Sequence, residues 1–97
     1  MEQGGCAYIL TNDHHTVLYV GVTHDLSIRL YEHKKGEYPN SFTKKYNVHK
    51  LIYYEFYPRI EEAIAREKEI KKWNRKKKEK LISTKNPGWH DLAKEIE

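Results

Sequence analysis

Tyr8, Tyr19, Arg29, His33 and Glu67 are the side chains of this 97-residue chain with reactive groups in unexpected places. Tyr19 lies in a short apolar run, "VLYVGV" (Val17–Val22), that reads as a buried strand. The following stretch, "THDLSIRLYEH", has helical spacing and carries Arg29 and His33 close to the side defined by Leu26 and Leu30. A guanidinium offers a planar fork of donors to an oxyanion, and a phenol or an imidazole can exchange a proton. Such groups are costly beside a core unless each finds a partner.

Glu67 is the sharper anomaly. Ile60, Ala63, Ile64 and Ile70 mark the apolar stripe of a helix that begins after Pro58. At about 100° per residue Glu67 falls near the centre of that stripe. A core-facing carboxylate is paired, or it binds a metal. A salt bridge, or a stripe emerging at the sheet edge, is the plain reading, and a functional carboxylate is the other. Singly, Tyr8 and Tyr19 read as core aromatics with bonded hydroxyls. Arg29 reads as a stem laid over Leu26 and paired with an acid, and His33 as a half-buried histidine. Together, Tyr8, Tyr19, Arg29 and Glu67 are expected on one side of a small sheet, with His33 on the same helix face as Arg29.

The elements that must position them are legible. "CAYILT" (Cys6–Thr11) and "VLYVGV" read as a hairpin around the polar "NDHHT". Thr23 is the expected cap of the next helix, with Asp25 in its first turn and an end near Gly36. "KLIYYEFY" (Lys50–Tyr57) reads as a third strand stopped by Pro58. A helix from Ile60 to about Trp73, a basic helix to Ser83 and a short terminal helix in "HDLAKEIE" complete the chain. The order β-β-α-β-α-α gives an α+β domain, a three-stranded sheet covered by helices. One domain spans 1–97, with a core over about 6–82 and a C-terminal extension over 83–97.

"AYIL" with Tyr8, "YVG" with Tyr19 after ten residues between the two tyrosines, then "DLSIRLYEH" and "EEAIAREKEIKKW", together resemble a GIY-YIG nuclease domain. The likeness spans roughly Cys6 to Ile82. It is nearest to the small bacterial members and extends to the N-terminal nuclease module of the bacterial excinuclease. The resemblance implies a central antiparallel sheet and metal-dependent hydrolysis of DNA phosphodiesters, in DNA repair or recombination. It places Cys6-Ala7-Tyr8 at the first signature and Tyr19-Val20-Gly21 at the second. It matches Arg29 to the family arginine, His33 to the histidine one turn later and Glu67 to the metal-binding glutamate. The implied cofactor is Mg²⁺ or Mn²⁺, which suits sparse protein ligation completed by water and phosphate oxygens. Gly21 is expected to leave room for the substrate backbone. Val22 stands where some relatives carry lysine, so activation of a tyrosine falls to Arg29, His24, His33 or the metal. Asn74 is a candidate for a further polar residue that family members often carry after the glutamate helix.

Composition supports an anionic polymer as partner. The net charge is +4, and nine of the eighteen Lys and Arg lie between Arg66 and Lys80. Lys71, Lys72, Arg75 and Lys76 are the expected DNA contacts, while a solvated helix face with i,i+4 pairs is the plain alternative. Tyr38, Phe42 and Tyr46, interleaved with Lys44 and Lys45, suit either nucleic acid or loop packing. Trp73 reads as a packing residue. Cys6, His14 and His15 lack zinc-ligand spacing. Cys6 is the only cysteine, so no intramolecular disulfide forms, and a reducing cytoplasm is the expected location. No apolar run reaches the roughly 20 residues a membrane span needs, and the N-terminus has no signal-peptide h-region. A nucleic-acid-binding module that does not cut, or an adaptor docking a protein partner through its C-terminal helices, shares these features.

Overall fold

The computed structural model describes residues 4–35 and 45–96. Gly36, Tyr38, Phe42 and Lys44 lie outside them. The hairpin forms as its residues dictate. Strand β1 (Gly5–Thr11) pairs antiparallel with β2 (Leu18–Thr23), with Tyr8 opposite Gly21 and Leu10 opposite Tyr19. Asn12 builds the turn, its Oδ1 accepting from the backbone of Thr16 at 2.8 Å and of Val17 at 3.2 Å. His15 takes the left-handed conformation there (φ 58°).

Strand β3 (Lys50–Tyr57) pairs with the other side of β1, giving the antiparallel order β2-β1-β3. A register shift between Ile9 and Leu10 lets β3 carry one extra residue. β1, between two strands and under helices on both faces, is buried at every position. This explains its unbroken apolar sequence.

Helix α1 (Leu26–Lys35) starts at a cap different from the expected one. The Asp25 carboxylate accepts from the Ile28 backbone at 3.2 Å, while the Thr23 hydroxyl accepts from the Asp25 backbone at 3.1 Å. Asp25 therefore caps the helix, and Thr23 shapes the turn before it. Helix α2 (Ile60–Lys71) begins after Pro58 with Glu61 and Glu62 in its first turn, where acidic groups favour a helix N-terminus. Helix α3 (Arg75–Lys85) and the short α4 (Ala93–Ile96) follow.

The sheet separates two cores. On one face Cys6, Tyr8, Leu10 and Leu51 pack with Leu26 and Leu30 of α1 and Ala93 of α4. On the other, Ile9, Val20, Ile52 and Tyr53 pack with Ile70 of α2 and Ile82 of α3. Gly5 lets α2 settle closely, since a Cβ there would lie 3.0 Å from that of Ala63. The expected C-terminal extension belongs to this packing. Buried Asn86 donates to the Ile52 carbonyl at 3.0 Å, and the Leu92 backbone donates to Leu51 at 2.7 Å. No helix among the described residues is long and apolar enough to cross a membrane.

Candidate active site

The strand pairing brings three of the expected groups together. Tyr8 and Tyr19 point to the α1 face from neighbouring strands, with ring centroids 6.4 Å apart. His33 stands edge-on to both, at 6.3 Å from Tyr8 and 5.9 Å from Tyr19. Its Nε2 lies 3.4 Å from the Tyr8 hydroxyl. Arg29, one turn earlier on α1, pairs with Glu32 at 3.2 Å and acts electrostatically on both Tyr8 and His33.

Burial sets the protonation of this group. Tyr8 is fully buried, and desolvation pushes its phenol well above the ordinary value of 10.0. Tyr19 next to it pushes the same way, while the Arg29 charge and hydrogen bonding oppose them. The His33 imidazole is held below its ordinary 6.5, first by burial and then by the Arg29 charge. Near neutrality the ring is uncharged and able to exchange a proton.

Gly21 sits against both phenols. A Cβ at this position would lie 2.6 Å from the Tyr8 ring tip and hydroxyl, and 3.0 Å from the Tyr19 ring. The space on that side is filled by the protein's own phenols. Glycine is needed here for room.

Glu67 does not join the tyrosines on one side of the sheet. It lies between Ala63 and Ile70 on the buried stripe of α2, which covers the opposite face. The two helices approach at the outer edge of β2, around a cleft of about 360 Å³. Arg29, Glu32 and His24 line one side of this cleft, and Ile60 and Ile64 of α2 line the other. Glu67 follows Ile64 by three residues, the next position along that helix face. The sequence pattern located the stripe but not the sheet face it covers, because both faces of β1 are apolar.

The Glu67 carboxylate pairs with Lys71 Nζ at 2.5 Å, a salt bridge such as the plain reading expected. No group of three or more His, Cys, Asp or Glu suited to a metal occurs among the described residues. A lone carboxylate fits Mg²⁺ or Mn²⁺, which retain water and take oxygens from a substrate. It does not provide a structural zinc cage. Cys6 is buried with its thiol pushed up to about 12, chiefly by desolvation, so it is inert.

The basic segment divides by role. Lys72 and Lys76 are exposed, as a DNA contact requires. Arg75 is a strut: it donates to the backbone carbonyls of His15 and Thr16 and pairs with Glu79 at 2.8 Å. Asn74 is the cap of α3, accepting from the Lys77 backbone at 2.9 Å. Trp73 packs partly buried against the α2–α3 core, with the cations of Arg66 and Lys77 over its ring. His14 is exposed, and His15 lies 3.1 Å from Lys50 Nζ.

A paired tyrosine cluster on a three-stranded antiparallel sheet, with an arginine and a histidine one turn apart on the next helix, defines the class. The sequence matches the GIY-YIG catalytic domain over residues 4–80, and the chain belongs to that nuclease family. Within it the chain is similar to the small UPF0213 proteins. One from Clostridium perfringens is 38% identical over 79 residues, covering 81% of this chain and 84% of the relative. Another, from Staphylococcus saprophyticus, is 39% identical over 66 residues, covering 68% and 79%. The solution NMR structure of a UPF0213 protein from Bacillus halodurans superposes with a TM-score of 0.59 at 30% identity, covering 94% of this chain and 95% of the other.

Proposed function

We propose that this protein is a DNA endonuclease that hydrolyses phosphodiester bonds with a divalent metal, in the setting of repair or recombination. The observation that carries the reading is the Tyr8–Tyr19–His33 cluster, with Arg29 beside it, at the edge strand of a nuclease-family fold. The chemistry follows from residue types and exposure. Arg29, about one-third exposed, can leave Glu32 for a phosphate and neutralise charge on its non-bridging oxygens.

One phenol of the pair takes the proton of the attacking water. Burial keeps Tyr8 protonated, and Arg29 is the cation opposing that burial. Tyr19 is half-buried, and solvent reaches it directly. His33, kept neutral, is placed to relay a proton to or from Tyr8.

Glu67 is the residue that would hold Mg²⁺ or Mn²⁺ from the α2 side of the β2 edge. When bound, that ion supplies charge stabilisation to the departing oxygen. Lys71 fills the same place electrostatically in the free protein.

The test is cleavage of plasmid, single-stranded and branched DNA by purified protein with Mg²⁺, Mn²⁺ or EDTA. Glu67→Gln and Arg29→Ala should each abolish or strongly reduce cutting while leaving the fold intact by circular dichroism. Cleavage that survives EDTA, or both substitutions, overturns the mechanism.

A further inference from the structure

Strand β3 divides its aromatics between the two faces. Tyr53 and Tyr57 turn to the α2 side, while Tyr54 and Phe56 lie on the tyrosine side, opposite Tyr8 and Cys6 respectively. Phe56 is 62% exposed, more than any other large hydrophobic side chain among the described residues. Its ring meets that of Tyr54 edge-to-face, with centroids 5.3 Å apart. Tyr54 is anchored. It packs on the core that contains Tyr8, and its hydroxyl donates to Glu95 at 2.7 Å.

The outer edge of β3 is covered at Leu51 and Ile52 by the segment that follows α3. Beyond it Lys85 reaches the Tyr54 carbonyl at 3.4 Å. A cavity of about 320 Å³ opens there between Tyr53, Tyr54, Lys85, Leu92 and Glu95, with the Lys85 ammonium 5.2 Å from the Tyr53 ring centroid. An exposed flat ring held by an anchored one, with a cation at the same strand's outer edge, is suited to a base rather than to an apolar peptide. The chain's net charge of +4 favours the same partner.

We propose that Phe56 and Tyr54 form a stacking platform for an unpaired nucleobase of the substrate strand, with Lys85 contacting its backbone. The inference rests on the DNA endonuclease reading and adds the substrate class to it. β1 and β3 are neighbours about 5 Å apart, so the platform lies one strand from the Tyr8 row. A base inside a continuous duplex has no free face to offer. The favoured substrate is therefore DNA with unpaired bases, as a single strand or at a gap or branch.

Binding is measured in EDTA, which suppresses cutting, by fluorescence anisotropy with single-stranded, gapped and fully paired oligonucleotides. Phe56→Ala should weaken binding of single-stranded and gapped DNA by about tenfold. Duplex binding and the unfolding midpoint should be unchanged. Phe56→Trp should restore affinity, with its fluorescence quenched by single-stranded DNA beyond any change in a wild-type control carrying Trp73 and Trp89. Equal affinity of wild type and Phe56→Ala for every DNA overturns the platform alone, provided that wild type binds and cuts. A uniform loss that includes the duplex also overturns it. A wild-type dimer in solution that Phe56→Ala dissociates makes this a self-association face instead. Failure of wild type to bind any DNA removes the endonuclease reading together with the platform.

Discussion

The two faces of the sheet carry nearly the same side chains in opposite states. On the α2 face, Glu55 accepts from the Tyr53 hydroxyl, from the Tyr57 hydroxyl at 2.6 Å and from Arg66 at 3.0 Å. Arg66 closes the network by also reaching Glu69 at 2.9 Å. On the α1 face the same residue types, two tyrosines and an arginine, surround a histidine at looser distances, with no carboxylate between them among the described residues. Glu32 sits at the rim with Arg29. A central carboxylate saturates the donors around it and makes a girder. On the α1 face the positive charge of Arg29 is instead balanced at the rim, by Glu32.

Breaking each cluster should therefore give opposite signatures. Arg29→Ala should lower the cleavage rate by roughly 10²–10³-fold, the usual effect of deleting one charge-stabilising donor. Its unfolding midpoint should barely move, because the Arg29–Glu32 pair is near the surface. Glu55→Ala should do the reverse, destabilising the fold by roughly 2–3 kcal/mol in urea titrations as Arg66 loses its half-buried partner. Its activity per folded molecule should stay close to wild type.

Gly21→Ala sharpens the contrast from inside the candidate site. The methyl group collides with the Tyr8 phenol, at a cost of about 1–3 kcal/mol in overpacking. Cleavage should fall further than stability predicts, because the displaced phenol belongs to the site. Turnover normalised to the folded fraction checks this.

The smallest effect is separable by pH. His33 is held below its ordinary 6.5, so its unfolded form takes up a proton before the folded form does. Stability is then full above 6.5 and falls as pH drops through the lower folded value. Glu55 opposes its own burial with hydrogen bonds from Arg66 and both tyrosines, and is held below 4.5. Its contribution is lost only at more acid pH. Urea midpoints followed from pH 7 downwards should show two losses in that order, and His33→Gln should remove the first.

Much of this architecture was readable from residues, and the misses share a cause. The run "KLIYYEFY" and Pro58 placed β3 at its observed bounds, Lys50–Tyr57. The apolar stripe put Glu67 in a buried position. What periodicity does not carry is which face of an all-apolar central strand each helix covers, so Glu67 was expected beside Tyr8. Local spacing is equally blind to contacts across the chain. Arg75 looked like one more cation in a basic run, yet it reaches backbone carbonyls some sixty positions earlier in the sequence. The family resemblance made Asn74 a candidate, and local spacing did not show that its side chain caps the next helix. Phe56 was visible in the alternation "YYEFY", but only its exposure separates a platform from core.

The Arg75 strut has a mechanical consequence. It fastens the first turn of α3 to the loop between β1 and β2, and its guanidinium lies 5.9 Å from the Trp89 ring centroid. Trp89 in turn stacks on His15 at 4.9 Å from the left-handed region, at φ 54°. Helix, loop and C-terminal segment are thus braced against one another beside β2, the strand holding Tyr19. A chain cut back to the last candidate catalytic residue would keep every reactive group and lose that brace.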